Sequence, residues 1–470
     1  MRWLFLCLCP LYLFAFEEMT LETGAAEYKG KVLYLHEGVT IHHPLGHLSS
    51  EEMILKPMAG VSPIRLGSAD LTKRVRLELT EGGILDCSDA SIDFSVGKGT
   101  FLNGKEQDFV IFSQSIKDKL ERLPFIVKAR QMELDFDAKA PQPVIQKIAI
   151  HRDVQIDYNH DFIAAGDEGI FIRSASTQPG LNGKILLQAD PEKLCSVTNR
   201  NGDLIRSAQI AIDTEGRTID FEKSSGSLMS DRSKLSQKVD FAADKARWSD
   251  RENAVLLQRN VSLHQKGMGT LKTDGELKIT QCPQNNKRKL ATIESYGKTV
   301  LEQGGDETGP KRTLTCHGKL LVDHADSVIT MDSPPEGGQQ VFLEDARGHV
   351  YADKATIHYS LDKAVLQVVL EGDVQVQNVQ SEKPQYALAD ILEYCPATQE
   401  MTLKAKAGNR VLLYDQAKDL QISAPGILLK RDPITQKETV KGLGDVRFSL
   451  VKEEFSELRK KFSLKNQEEG

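Results

Sequence analysis

Along most of this chain apolar residues recur at every second position. In 348–378 (GHVYADKATIHYSLDKAVLQVVLEGDVQVQN), Tyr351, Ala355, Ile357 and Tyr359 share one face, and Lys354, Thr356 and His358 take the other. A period of two is the mark of a strand with one face against a core. A polar turn follows at 360–363, after which Leu366, Val368 and Leu370 continue the apolar face. Glu371-Gly372-Asp373 interrupts the run where a bulge or tight bend fits, and Val374 and Val376 resume it. The stretch reads as three strands.

This unit repeats. One landmark is an apolar residue, then a small residue and often Asp, then apolar alternation, as in FAADKARW (241–248), LKTDGELKI (271–279), YADKATIHY (351–359), ALADILEY (387–394) and ISAPGILL (422–429). The other is Gly, Asp or Asn before Val and an alternating pair, as in DVQI (153–156), NVSL (260–263), GDVQV (372–376), GNRVL (408–412) and GDVRF (444–448). The two alternate along the chain. A fixed order at imperfect spacing indicates stacked units, none of which buries its apolar face alone. Small residues suit corners where backbones come close. The predicted fold class is all-β, built of repeated antiparallel strands.

Helical spacing is rare. Gln114–Arg122 is compatible with a short helix through Ile116 and Leu120, and at 451–462 Val451, Phe455, Leu458 and Phe462 fall on one helical face. Before the first strand, Arg2 precedes an apolar run from Trp3 to Phe16, then Glu17-Glu18, the form of a secretory signal peptide with cleavage near Ala15. The expected organisation is a signal peptide over 1–16, β domains over 17–230 and 231–450 divided in the Ser-rich charged stretch 223–238, and a helical tail over 451–470.

Composition narrows the function classes. The chain has 470 residues and a net charge of −7, with no basic stripe, which argues against nucleic acid as a partner. Aromatic residues make up 6%, too few for a membrane barrel with aromatic girdles. Past the signal peptide, Cys87, Cys195, Cys282, Cys316 and Cys395 are widely spaced and form no C-x-x-C pair, so neither a zinc ribbon nor a redox motif is expected.

Candidate chemistry is sparse. His36, His42, His43 and His47 cluster near a Pro-Gly turn, but neighbours on a strand point to opposite faces, so His42 and His43 are badly placed to share a metal. Gly99–Lys105 resembles a phosphate loop, yet Glu106 stands where Ser or Thr would hold magnesium. Asp135 with Asp137, or Asp86 with Asp89, would make an acid–base pair, but strand-end Asp is commonplace and nothing marks a cleft. No Gly-x-Ser-x-Gly, His-Glu-x-x-His or dinucleotide fingerprint occurs. No catalytic residue, metal or cofactor is expected.

The alternating landmarks, as in YADKATIHY…VVLEGDVQVQ and FAADKARWS…VLLQRNVSLHQ, resemble the text of the OstA-like family (organic solvent tolerance protein A), best over 236–450 and more loosely over 28–220. The large C-terminal barrel of longer members is missing from this sequence. The resemblance implies a β-jelly-roll or folded-over sheet whose trough holds acyl chains, and a place in lipopolysaccharide transport across the periplasm to the outer membrane. It also implies partners among other transport proteins, joined by edge-strand addition, with homo-oligomers as a further option. Strands that are apolar on one face, with almost no helix to cover them, require two sheets face to face. The inward-facing, lipid-binding residues expected in the best repeat are Tyr351, Ile357, Tyr359, Leu366, Val368, Val374 and Val376. Two other classes compete: a structural β-solenoid filament with a filled core, and a β-solenoid enzyme with carboxylates in a polar groove.

Overall fold

The computed structural model describes residues 20–449 apart from 59–65, 105–107, 119–120, 141–142, 159, 175–181, 230–237, 285–286, 305–310, 335–338, 361–363, 380–383, 433–434 and 436. The expected signal peptide and C-terminal helix lie outside the described residues. What is described is all-β and antiparallel, with no helix among those residues. Two compact units divide it, Met1–Val197 with Gln209–Gly216, and Thr198–Ala208 with Arg217–Gly470. The division falls N-terminal to the 223–238 stretch in which the sequence reading put it. Over 218–249 the strands Thr218–Met229 and Lys238–Ser249 pair along their whole length within the second unit.

In the C-terminal unit, the strand Lys238–Ser249 starts two leaves at once. Its first half pairs with Val261–Gln265 and its second with Ala254–Gln258. Leaf one continues through Gly269–Thr273, Thr299–Gln303, Arg312–Cys316, Val341–Asp345 and Gly348–Ala352. Leaf two continues through Glu276–Gln284, Lys287–Tyr296, Lys319–Asp323, Val328–Asp332 and Lys354–Tyr359. Val365–Asn378 then pairs by its first half with Lys354–Tyr359 and by its second with Gly348–Ala352, so one long strand belongs to both leaves. Gln385–Cys395 does the same beside it. Val411–Asp415, Leu420–Ala424 and Arg447–Ser449 finish leaf one; Glu400–Lys404, Gly426–Arg431 and Glu438–Leu443 finish leaf two.

Among the described residues the chain passes between the leaves at 259–260, 274–275, 297–298, 317–318, 353, 372–373, 390, 405–410, 425 and 444–446, all on one side, with one further crossing between Asp332 and Val341. Hydrogen bonds join these points into a hinge line. Asp244 N–H donates to Arg259 O (3.0 Å), Arg259 N–H to Gly275 O (3.2 Å), Gly297 N–H to Gly318 O (3.0 Å) and Ser333 N–H to Asp353 O (2.8 Å). Asp353 N–H reaches both Glu371 O and Gly372 O, and Ala405 N–H reaches Pro425 O. Landmarks such as Ala352-Asp353, Gly372-Asp373, Asp390 and Gly444 stand at the hinge, whereas VDHADSVITM (322–331), which reads as the same landmark, turns within leaf two at 324–327. Val365–Asn378 turns the hinge corner by a register shift between Glu371 and Val374, with φ of +78° at Gly372 and +37° at Asp373. That is the interruption expected from Glu371-Gly372-Asp373.

Close approach explains the small residues. A Cβ on Gly318 would stand 2.1 Å from the Asp332 carbonyl oxygen. Gly318→Ala is expected to destabilise the C-terminal unit by about 1–3 kcal/mol, because backbone cannot yield as a side chain does. A urea-unfolding midpoint equal to that of the parent would contradict this.

The N-terminal unit uses the same corner. Positive φ marks the pairs Glu37-Gly38, Lys73-Arg74 and Arg152-Asp153. Glu51 N–H donates to Lys73 O (2.9 Å), and Arg130 N–H to His151 O (3.2 Å). Its core is aliphatic and aromatic, with Ile41, Leu48, Leu77, Leu85, Phe101 and Met132 almost fully buried.

Two local expectations are corrected. Gln114–Arg122 is not helical: Val110–Asp118 and Glu121–Ala129 form a hairpin whose ladder runs from Val110↔Ala129 to Asp118↔Glu121. The β-branched and aromatic residues at 110–112 and 125–127 set the pairing, and the weak helical spacing between them yields to it. The face shared by Tyr351, Ala355, Ile357 and Tyr359 is not carried by one strand either. It breaks at Asp353, where the chain leaves leaf one for leaf two.

Candidate functional site

Between the leaves of the C-terminal unit lies a cleft of ≈ 270 Å³. Leaf one contributes Leu314, Leu343, Val350, Val376 and Leu413; leaf two contributes Ile357, Val368, Leu370, Leu403 and Leu429. Each leaf presents aliphatic side chains because its strands alternate, and the hinge line folds those faces toward each other. Among the described residues the side opposite the hinge carries turns within one leaf, such as 346–347 and 416–419 in leaf one and 324–327 and 396–399 in leaf two. There the lining becomes polar, with Arg312, Asp345, Arg347, Asn378 and Gln385 on one lip and Gln399, Arg431 and Glu438 on the other. Burial would raise the Asp345 carboxyl, but Arg347 outweighs it and holds that carboxyl below its usual value, with Nη2 and Nε donating to Oδ2 at 2.9 and 3.0 Å.

The seven residues expected to face inward divide. Ile357, Val368 and Val376 line the cleft. Tyr351, Tyr359 and Val374 are buried but outside it. Tyr351 packs on Phe342 with ring centroids 4.8 Å apart. Tyr359 donates its hydroxyl to Asp323 O (3.2 Å), and burial pushes that phenol up to about 12. Leu366 is a correction, because it is 52% exposed on the outside. The pairing shifts between His358↔Gln367 and Tyr359↔Val365, so the alternation slips by one residue and Val365 takes the inward place. Leu392, Tyr394 and Met401 also line the cleft. Their alternation was legible, but nothing in a single strand tells which buried residue faces a gap and which fills the core.

The N-terminal unit holds a void of ≈ 20 Å³ among Phe112, Phe125, Val127, Met132, Ile148, Ile150, Phe171 and Ile185. That is about the room of one water, so these bulky side chains pack closely around it.

The other candidates do not converge. His42 faces His47 across the hairpin, with ring centroids 4.3 Å apart, whereas His43 turns inward onto Phe94 at 4.4 Å. Asp137 lies beyond the strand Gln131–Phe136 and caps a turn, accepting from Lys139 N–H (3.0 Å). Asp86 accepts from Arg76, and Asp89 from Ser88. The five cysteines from Cys87 to Cys395 are free thiols. Gly99 lies within the strand Lys98–Leu102, not in a phosphate loop.

His43 has a consequence for stability. Burial lowers its imidazole to about 4, and Leu45 N–H donates to Nδ1 (3.1 Å). In the unfolded chain a histidine titrates near 6.5. Between those values the unfolded state binds a proton that the folded state refuses, so this contribution is complete above pH 6.5 and is lost as pH falls toward 4. His43→Phe is expected to flatten that part of the profile. Urea midpoints at about pH 7.5 and about pH 5 measure it, and an unchanged difference between them would contradict the assignment.

No protein-family model matches the chain, and no curated protein matches it. Among solved structures it is similar to LptH, the LptA-homologous periplasmic component of the conserved lipopolysaccharide transport device from Pseudomonas aeruginosa. The two are 9% identical, with a TM-score of 0.24, over 30% of this chain and 95% of that one.

Proposed function

We propose that the C-terminal unit carries the acyl chains of a lipid in the cleft between its leaves, and that the lipid is lipopolysaccharide on its way to the outer membrane. One observation carries this reading: two aliphatic sheet faces, joined along the hinge line, leave an unfilled cleft with polar lips. An amphiphile fits such a site by both ends, tails against aliphatic side chains and head group in water. Burying one chain of about a dozen carbons is worth on the order of 10 kcal/mol, so binding needs no catalysis. The sequence likeness to the OstA-like family supports the same cargo, a periplasmic location and transport partners.

The N-terminal unit carries no cargo in this reading. Free strand edges are the means of joining partners or further copies. Thr20–Lys29, Glu438–Leu443 and Arg447–Ser449 each pair on one side among the described residues. The test is displacement of a fluorescent lipopolysaccharide from the purified protein. Saturable binding that an excess of unlabelled lipid competes away is expected. Absence of saturation would remove the carrier reading and favour a structural β-solenoid.

A further inference from the structure

Two features of the cleft have no part in holding tails. Among the described residues the passages between the leaves lie on the hinge line, and the opposite side carries turns within one leaf. Across that side Lys418 of leaf one lies within electrostatic reach of Glu438 of leaf two, and a closer contact joins the lips at Arg347. Arg347, in the turn between Val341–Asp345 and Gly348–Ala352 of leaf one, places its guanidinium carbon 5.8 Å from the ring centroid of Tyr394. Tyr394 belongs to leaf two, paired with Val368 and Met401.

We infer that the ligand enters the C-terminal unit sideways, through the open side between the leaves, and that Arg347 reaching to Tyr394 is the clasp across that entrance. This inference rests on the carrier reading. The anchor of the clasp is rigid. The backbone N–H of Arg347 donates to Asp345 Oδ1 (2.8 Å), its guanidinium donates to Oδ2, and its carbonyl accepts from Val379 N–H (2.8 Å). At the next residue, Gly348, a Cβ would stand 1.9 Å from the Gln377 carbonyl oxygen, so the turn lies tight on its neighbour. The reach to Tyr394 is a cation–π contact, with the ring hydroxyl in hydrogen-bonding reach of the guanidinium, at a wet lip that opens readily. Sideways entry also suits a lipid with a bulky polar head. The tails slip between the leaves while the head stays in water, whereas threading along the trough would drag the head past aliphatic walls.

Two measurements on the full chain test it, with Cys282 and Cys395 replaced by serine. Spin labels at Ala346→Cys and Ala397→Cys, both exposed and one on each lip, report the width of the entrance without any lipid. Arg347→Ala or Tyr394→Ala is expected to lengthen and broaden the distance distribution. Unchanged distances in both alanine variants would overturn the clasp. Stopped-flow uptake and release of fluorescent lipopolysaccharide give the second readout. Each alanine variant is expected to speed both steps by about threefold to thirtyfold, and the double variant no further than one of them. Faster release with unchanged uptake would also overturn it, since that is what losing a wall residue does. If the parent protein takes up no lipid, the carrier reading fails, and the label distances still judge the clasp.

Discussion

Val368→Asp is expected to weaken lipid binding by about thirtyfold, equivalent to about 2 kcal/mol, while leaving the protein folded. Val368 lines the cleft from leaf two and is only half buried. In the empty protein the new carboxylate reaches water. Once acyl chains fill the cleft it must be desolvated with no partner, and that difference falls on the bound state alone. Leu370→Asp would be a poorer probe, because Leu370 is 1% exposed and a charge there strikes the fold itself. Leu366→Asp is the control. Leu366 is two residues away but on the outer surface, so its affinity is expected to match the parent. Displacement titrations read the affinity, and urea midpoints confirm that each variant is folded. Equal affinities for the 366 and 368 variants would place the ligand elsewhere.

The largest effect on stability is expected from Trp248→Ala, a loss of about 3–5 kcal/mol. Trp248 is 2% exposed in the strand Lys238–Ser249, between Ile219 and Val255 on the neighbouring strands. That strand starts both leaves, so the cavity opens where every later strand takes its register. Urea unfolding of the full chain, followed by circular dichroism, measures the loss. A change below about 1 kcal/mol would mean that the site collapses around the gap.

These expectations trace to features that differ in how far the text of the chain reveals them. The strands around 348–378 and the interruption at 371–373 were legible because strand periodicity and bulge chemistry act over a few residues. Leu366 misled for the same reason. Alternation counts residues, and the shift beside Tyr359 that turns Leu366 outward is set by the partner strand. Gln114–Arg122 misled because helical spacing inside a hairpin is weaker than the ladder on either side.

The order of local preferences in the amino-acid string settles that the described chain is all-β, one-faced strand after one-faced strand, interrupted at landmarks such as Ala352-Asp353 and Gly372-Asp373. It does not settle which of those faces find enough bulk to fill the space between them. Phe112, Phe125, Met132 and Phe171 nearly close the interior of the first unit, whereas the second keeps a cleft among Ile357, Val368 and Leu370. Whether a gap survives depends on the summed volume of side chains brought together from many strands, which no single stretch carries. Packing therefore made the site, and pleating made only the walls.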